Sequence, residues 1–181
     1  MNSLLKIKNK KFLVYGLGKT GLSVVKFFKQ NKIKDFRVWD DKFLIKYNKK
    51  TNIKKKLNRW IEQSDNIIIS PGINYLSALA GPFLKKYFHK IITDLDLFYK
   101  IYPKITTIMV TGTNGKSTTC KIIYDLIKNS RKYNSYLLGN IGRPVLDIKP
   151  KKNCICIIEA SSFQLFYSKN LNPDHALLIN L

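Results

Sequence analysis

Ile105-Thr106-Thr107-Ile108-Met109-Val110-Thr111-Gly112-Thr113-Asn114-Gly115-Lys116-Ser117 decides how this chain folds. Ile105 to Val110 is a short apolar run with β-branched residues and reads as a buried strand. Gly112 and Gly115 permit a tight turn, and the apolar-periodic stretch from Ser117 to about Lys128 reads as a helix. A strand that hands over to a helix through such a turn is a cradle for phosphate. Backbone N–H groups converge on the anion, and the helix start adds partial positive charge. A triphosphate needs many donors and no bulky side chains nearby, and residues 112–118 meet both needs. Lys116 would reach the outer phosphates as a point charge, and the Ser117 hydroxyl would ligate Mg2+. One departure stands out: where a strict phosphate loop opens with glycine, this chain has Val110. Even so, Gly-Lys-Ser-Thr ahead of an amphipathic helix has few purely structural reasons to exist.

The same device occurs nearer the start. Lys11 to Tyr15 reads as a buried strand, Gly16-Leu17-Gly18-Lys19-Thr20-Gly21 as a turn, and the residues through about Lys29 as a helix. Gly16, Gly18 and Gly21 match the dinucleotide fingerprint, and Asp40, after a second strand at Phe36 to Trp39, follows at roughly the 20-residue spacing of a ribose-binding acid. The first reading of that pattern is NAD and hydride transfer. A second nucleotide loop downstream and the lack of an obvious catalytic His or Cys in the later motifs speak against it, and the diphosphate of UDP fits a helix start equally well.

Lysine-rich sequence then runs to about Arg59 and reads as loop and polar helix surface. A third strand, Ile67 to Ile69, is stopped by Ser70-Pro71-Gly72, and Ile91-Ile92 closes the first sheet. Further strands are expected at Ser135 to Leu138, Ile155 to Ile158 and Ala176 to Ile179. Strands alternating with helices predict the α/β class, with a parallel sheet in each half. We expect one domain over residues 1–93, a linker over 94–104 and a second domain from 105 to 181. Glu159 ends the apolar strand Ile155 to Ile158, and the carboxyl ends of strands are where ligands of open parallel sheets gather. A hard dication held together with ATP needs only one or two protein oxygens, so Glu159 is a candidate beside Ser117.

Composition narrows the classes. A chain of 181 residues with 45% apolar content can bury a core. Its formal charge of +22 invites a nucleic-acid reading. Most of the positive charge is lysine spread along the whole chain, without the arginine-rich or aromatic-interleaved stripe that tracks phosphates. We therefore expect a solvated coat and no nucleic-acid partner, although a positive field speeds capture of anionic nucleotides. Cys120, Cys154 and Cys156 have no metal-ligand spacing and read as small buried hydrophobes in a reducing cytosol. No run approaches the roughly 20 apolar residues of a membrane span, and Met1 to Lys11 does not resemble a signal peptide, so a cytoplasmic chain with no membrane partner is expected.

Several motifs taken in order carry a resemblance. Gly-Leu-Gly-Lys-Thr-Gly-Leu-Ser lies at 16–23, Trp-Asp-Asp at 39–41, Ser-Pro-Gly-Ile at 70–73 and Asp-Leu-Asp-Leu-Phe at 94–98. Thr-Gly-Thr-Asn-Gly-Lys-Ser-Thr follows at 111–118, Gly-Asn-Ile-Gly at 139–142 and Glu-Ala-Ser-Ser-Phe-Gln-Leu at 159–165. Together they resemble the Mur ligase family, in its D-glutamate-adding branch, over essentially the whole chain, and Val110 is typical of that family's loop. The resemblance implies a Rossmann-like N-terminal domain followed by the truncated start of a P-loop-type central ATPase domain. It also implies a monomeric ATP-dependent ligase of peptidoglycan precursor synthesis, which joins D-glutamate to UDP-N-acetylmuramoyl-L-alanine through an acyl phosphate.

Site roles follow by position. Leu17, Lys19, Thr20, Asp40, Asp41, Ser70, Pro71 and Gly72 would hold the uridine diphosphate, and Asn140, Ser161 and Gln164 the rest of the nucleotide sugar. Gly112, Thr113, Asn114, Gly115, Lys116, Ser117 and Thr118 would hold ATP, Ser117 and Glu159 would ligate Mg2+, and Lys116 and Glu159 would serve catalysis. The family has three domains, and this chain stops inside the second. A metal-binding histidine, a carbamylated lysine and the domain that grips D-glutamate are not in it, and Asp174-His175 precedes the place of the family's metal-binding Asp-His pair. We expect the apolar surface at Ala176 to Ile179 to be left uncovered. Two readings stand: part of an active enzyme, or an incompetent remnant that only binds nucleotide or UDP-sugar. For the chain alone the expectation is weak UDP-sugar binding and no turnover.

Overall fold

The computed structural model describes residues 4–44, 50–74 and 77–181, and among these no helix is long and apolar enough to cross a membrane. The chain divides into two compact units, residues 1–94 and 95–181. Each is built on a four-stranded sheet whose strands all run parallel, which is the expected α/β class.

In the first unit a short helix α1 (Leu5–Lys8) precedes β1 (Phe12–Tyr15), α2 (Lys19–Gln30), β2 (Phe36–Trp39), α3 (Asp41–Leu44) and α4 (Lys50–Gln63). Then come β3 (Asn66–Ile69), α5 (Gly81–Lys86), a 3-10 turn at Phe88–Lys90 and β4 (Ile91–Ile92). The sheet order is β2-β1-β3-β4. All four β1 side chains are buried, as expected of a central strand covered on both faces. Helix α2 buries Val24, Phe27 and Phe28 at helical spacing, and the Phe28 ring lies 4.8 Å from Phe12 and 5.3 Å from Phe36. Tyr15 is level with Trp39 on one side and Ile69 on the other. The turns that follow β1, β2 and β3 therefore open at one end of the sheet. Strand order reverses at β1, the kind of switch point where open α/β sheets bind ligands.

The lysine-rich stretch, read as loop and polar helix surface, does form helix, and that helix also has a buried face. Its described part forms α4, in which Ile53, Leu57 and Ile61 are buried on successive turns. Only every fourth residue of that helix needs to be apolar to make the stripe, so composition conceals it. Residues 45–49 of the same stretch lie outside the described residues. On the outer face the Lys56 ammonium sits 4.9 Å and the Arg37 guanidinium 5.4 Å from the Trp60 ring centre, so some of the positive charge is held on an aromatic face.

The helix α6 (Asp94–Ile101) occupies most of the segment expected as a linker, and residues 94–99 are buried. The buried Asp96 carboxylate accepts from the backbone N–H groups of Lys169 (2.7 Å) and Asn170 (2.8 Å), which offsets the cost of removing it from water. The second unit continues with β5 (Thr106–Thr111), α7 (Lys116–Ser130), β6 (Asn134–Gly139), a 3-10 turn at Val145–Asp147, β7 (Cys154–Glu159), α8 (Ser162–Tyr167) and β8 (His175–Leu178). Its sheet order is β6-β7-β5-β8. Cys120, Ile123, Tyr124 and Ile127 of α7 pack on Val110 and Ile157. The three cysteines are buried and free. The edge strand β8 is exposed along its length, and Leu178 is 59% exposed, so the apolar surface there is uncovered as expected.

Candidate functional site

The glycine turn of the first unit owes its shape to contacts that admit no side chain. Gly16 has φ of +96°, and a Cβ there would lie 2.8 Å from Ile73 and 2.9 Å from Ser70. A Cβ on Gly21 would sit 1.9 Å from the Gly16 carbonyl oxygen. Gly18 is different: it caps α2 in extended backbone, and a Cβ on it would meet nothing within 4 Å. The protein does not require glycine at that position, but a ligand approaching the backbone would. The first turn of α2 has no side-chain cap and no acid, so its partial positive charge is not masked by its own residues.

Two carboxylates shape the rim of this turn. Asp40, largely buried, accepts from Leu17 N–H at 2.7 Å and from Lys42 N–H at 2.9 Å, which ties the glycine turn to the end of β2. Asp41 accepts from the Tyr15 hydroxyl (2.8 Å), the Trp39 indole N–H (2.7 Å) and Leu79 N–H (3.0 Å). Burial, reinforced by the Asp41 bond and its charge, holds the Tyr15 phenol protonated far above its usual range. On the other side the Ser70 hydroxyl donates to the Gly16 carbonyl at 2.8 Å, and Ser70 N–H donates to Tyr15 O at 3.0 Å. Leu17, Lys19, Thr20, Asp40, Asp41, Ser70, Pro71 and Gly72 thus come together at the carboxyl ends of β1, β2 and β3. Asp40 braces the turn and Asp41 ties Tyr15 and Trp39, at the ends of β1 and β2, to Leu79, roles that spacing alone did not reveal.

In the second unit Gly112 (φ +144°) and Gly115 (φ +80°) bend the chain out of β5, and Gly115 caps α7. The opening N–H groups of a helix lack intrahelical acceptors, so the start of α7 presents donors at residues 116–118. The Lys116 ammonium folds back onto the carbonyls of Gly112 (2.7 Å) and Thr113 (2.9 Å). The Ser117 hydroxyl donates to Glu159 Oε2 at 2.7 Å. Glu159 is 5% exposed and ends β7 in register with Val110 on one side and Gly139 on the other. Gly139 is required: its φ is +96°, and a Cβ there would stand 2.2 Å from the Glu159 carbonyl oxygen. Asn140 N–H donates to that same oxygen at 3.1 Å, so Asn140 is held at the turn beside Glu159 with its side chain exposed. A hydroxyl and a carboxylate side by side below a helix start are hard oxygen donors, and they suit Mg2+ delivered with a nucleotide's phosphates.

Ser161 and Gln164 form a reciprocal cap on α8, with Gln164 N–H donating to Ser161 Oγ at 3.2 Å and Ser161 N–H donating to Gln164 Oε1 at 3.1 Å. Ser-x-x-Gln is thus a capping box as well as a candidate substrate contact. Asp174 Oδ2 accepts from Thr107 N–H at 2.8 Å and thereby fixes β8 against β5, and His175 opens β8 on the surface.

A residue just past β8 also joins the loop. Asn180 Oδ1 accepts from the N–H groups of Thr113 (2.8 Å) and Asn114 (3.0 Å), and its Nδ2 donates to Asn114 O at 3.1 Å. No local pattern announces such a contact, because it depends on β8 lying beside β5.

Comparison with known proteins gives a family likeness. Residues 10–86 match the family model described as Mur ligase MurD-like, N-terminal domain. Over 95% of its length the chain is 39% identical to a UDP-N-acetylmuramoylalanine–D-glutamate ligase of Buchnera aphidicola from Acyrthosiphon pisum (strain Tuc7), covering 40% of that protein. A ligase of the same name from Rickettsia felis is 38% identical over 93% of this chain and 37% of its own, and that of Wolbachia pipientis wMel is 34% identical over 97% and 35%. The chain spans about 40% of the length of the curated relatives it matches.

Proposed function

Because the chain belongs to the Mur ligase family, we propose that it forms the nucleotide-binding part of an ATP-dependent ligase that joins D-glutamate to UDP-N-acetylmuramoyl-L-alanine. The observation that carries the reading is the Ser117–Glu159 pair under the start of α7, one strand away from the glycine loop. In this proposal the first unit holds the uridine diphosphate on the glycine turn and the start of α2. Asn140, Ser161 and Gln164 contribute to the sugar side, Ser161 and Gln164 doing so while capping α8.

ATP lies on residues 112–118, and Lys116 leaves the loop carbonyls for the outer phosphates. Ser117 and Glu159 would hold Mg2+, which would supply neutralisation of charge on the transferring phosphoryl group. A carboxylate is a poor electrophile, so the L-alanine carboxylate first attacks the γ-phosphorus and ADP leaves. The amine of D-glutamate then attacks the acyl phosphate carbon, expels phosphate and gives up a proton. Soluble nucleotide substrates place this reaction in the cytoplasm, with the protein acting as a monomer.

The test is a pair of titrations of the chain, one with Mg-ATP and one with UDP-N-acetylmuramoyl-L-alanine. Lys116→Ala should abolish binding of the first and leave the second nearly intact. Equal loss of both would contradict two separate sites.

A further inference from the structure

We propose that Asn180 is a positioning residue of the phosphate loop, dividing it into a braced half, Gly112 to Asn114, and a free half that receives phosphate. The proposal rests on the ATP reading above and extends it to a residue outside the loop motif.

The geometry is that of a two-way clamp. The Asn180 amide pairs with Asn114 in both directions, accepting from its N–H at 3.0 Å and donating to its C=O at 3.1 Å. The same Oδ1 takes the Thr113 N–H at 2.8 Å, and the Asn180 backbone carbonyl stands 3.3 Å from that nitrogen. Gly112 lies against the clamp: a Cβ on it would meet the Asn180 N and O at 3.1 Å and its Oδ1 at 3.3 Å. Ile179 N–H donates to Thr111 O at 3.0 Å, which continues the β5–β8 ladder up to the clamp.

Two N–H groups in a loop usually thought of as wholly turned to phosphate are therefore already satisfied. The donors left for an anion are the N–H groups at the start of α7, to which Lys116 would add its ammonium on leaving the Gly112 and Thr113 carbonyls. Thr113 and Asn114 are exposed, so unclamped amides there would be hydrated and the loop would sample other conformations. A loop already held in its binding shape loses less entropy when nucleotide arrives. Only a side chain that both accepts and donates at this reach closes the clamp, which selects the carboxamide of Asn.

Hydrogen exchange at single amides of the unliganded chain tests the brace. Asn114 is the sharper reporter, because Thr113 keeps the backbone carbonyl of Asn180 within 3.3 Å in any variant. Asn180→Ala should speed exchange at Asn114 by about tenfold or more, whereas Asn180→Asp, which keeps the acceptor, should hold it slow. Titration with Mg-ATP should show Asn180→Ala binding about tenfold more weakly, roughly 1.4 kcal/mol, with an unchanged melting temperature. Unchanged exchange at Asn114 in Asn180→Ala would overturn the proposal, as would ATP binding that is equal or tighter. If the unsubstituted chain fails to bind Mg-ATP, the ATP reading fails, and the exchange measurement still decides whether Asn180 braces the loop.

Discussion

The Ser117 hydroxyl donates to Glu159 Oε2 across 2.7 Å, joining the second residue of α7 to the last residue of β7. If this pair receives Mg2+ together with ATP, its worth must depend on the metal. Glu159→Gln keeps the size of the side chain and removes its charge. The affinity for ATP should fall about tenfold in the presence of Mg2+ and stay unchanged with a chelator. Calorimetric titration under both conditions checks this, and an equal fall in the two would mean that Glu159 only shapes the loop.

Asp41 offers a different kind of test, because three donors from three places converge on it. Asp41→Ala would leave the buried Tyr15 hydroxyl and the Trp39 indole N–H without their acceptor. Each buried donor left unpaired costs about 1–3 kcal/mol, so the variant should lose on the order of 2–4 kcal/mol in denaturant unfolding. Asp41→Asn, which retains one acceptor oxygen, should lose less. A loss within about 0.5 kcal/mol for the alanine variant would show that these bonds contribute nothing net.

Much of this arrangement was legible in the residues, and its limits have physical causes. The two strand–turn–helix units were readable because glycine at a turn and apolar periodicity on either side are local signals. β2 was expected at Phe36 to Trp39 and observed there, because the acidic pair Asp40-Asp41 marks its end. The polar surface of helix α4 was readable, but its buried stripe was not, because its three buried residues are outnumbered by lysine, and α6 lies in the segment expected as a linker. The bonds of Asp174 and Asn180, and those of Asp41 to Tyr15 and Leu79, were beyond reading, since they join residues that only the folded chain brings near. Ser161 and Gln164 are the intermediate case: the capping spacing was present, but one pattern supported two meanings.

Alkaline stability follows from buried neutral groups. Burial, helped by the Glu159 charge, pushes the Cys120 thiol up to about 12, and burial with the Asp174 charge pushes the Tyr99 phenol up to about 12 against the lowering effect of its Thr107 bond. Burial raises Cys156 as well. The folded chain thus holds these protons more tightly than the unfolded chain does. Their stabilisation is complete below the unfolded thiol value near 9 and is lost as pH rises toward 12. Unfolding free energy should be level with respect to these groups up to about pH 8.5 and then fall, by up to about 1.4 kcal/mol per pH unit for each group in play. Cys120→Ala should flatten the early part of the decline. Stability that holds level to pH 11 would show that the thiols are not protected by burial.

Gly18 and Gly21 sit one helical turn apart and should respond oppositely to the same substitution. A methyl group on Gly21 would overlap the Gly16 carbonyl oxygen at 1.9 Å, and backbone on both sides leaves no flexible neighbour to yield. Gly21→Ala must therefore push α2 away from the turn that Asp40 and Ser70 hold, a steric cost of about 3 kcal/mol or more. Gly18→Ala meets nothing within 4 Å and sits in backbone that alanine adopts readily, so its unfolding free energy should stay within about 0.5 kcal/mol of the original. Should the helix start carry the diphosphate of UDP, that harmless methyl group would stand where the phosphates approach, and affinity for UDP should drop about tenfold or more. Melting and UDP titration of both variants separate the two effects. A Gly18→Ala chain that binds UDP as tightly as the original would remove the first unit's glycine turn from the ligand site, whatever Gly21→Ala does.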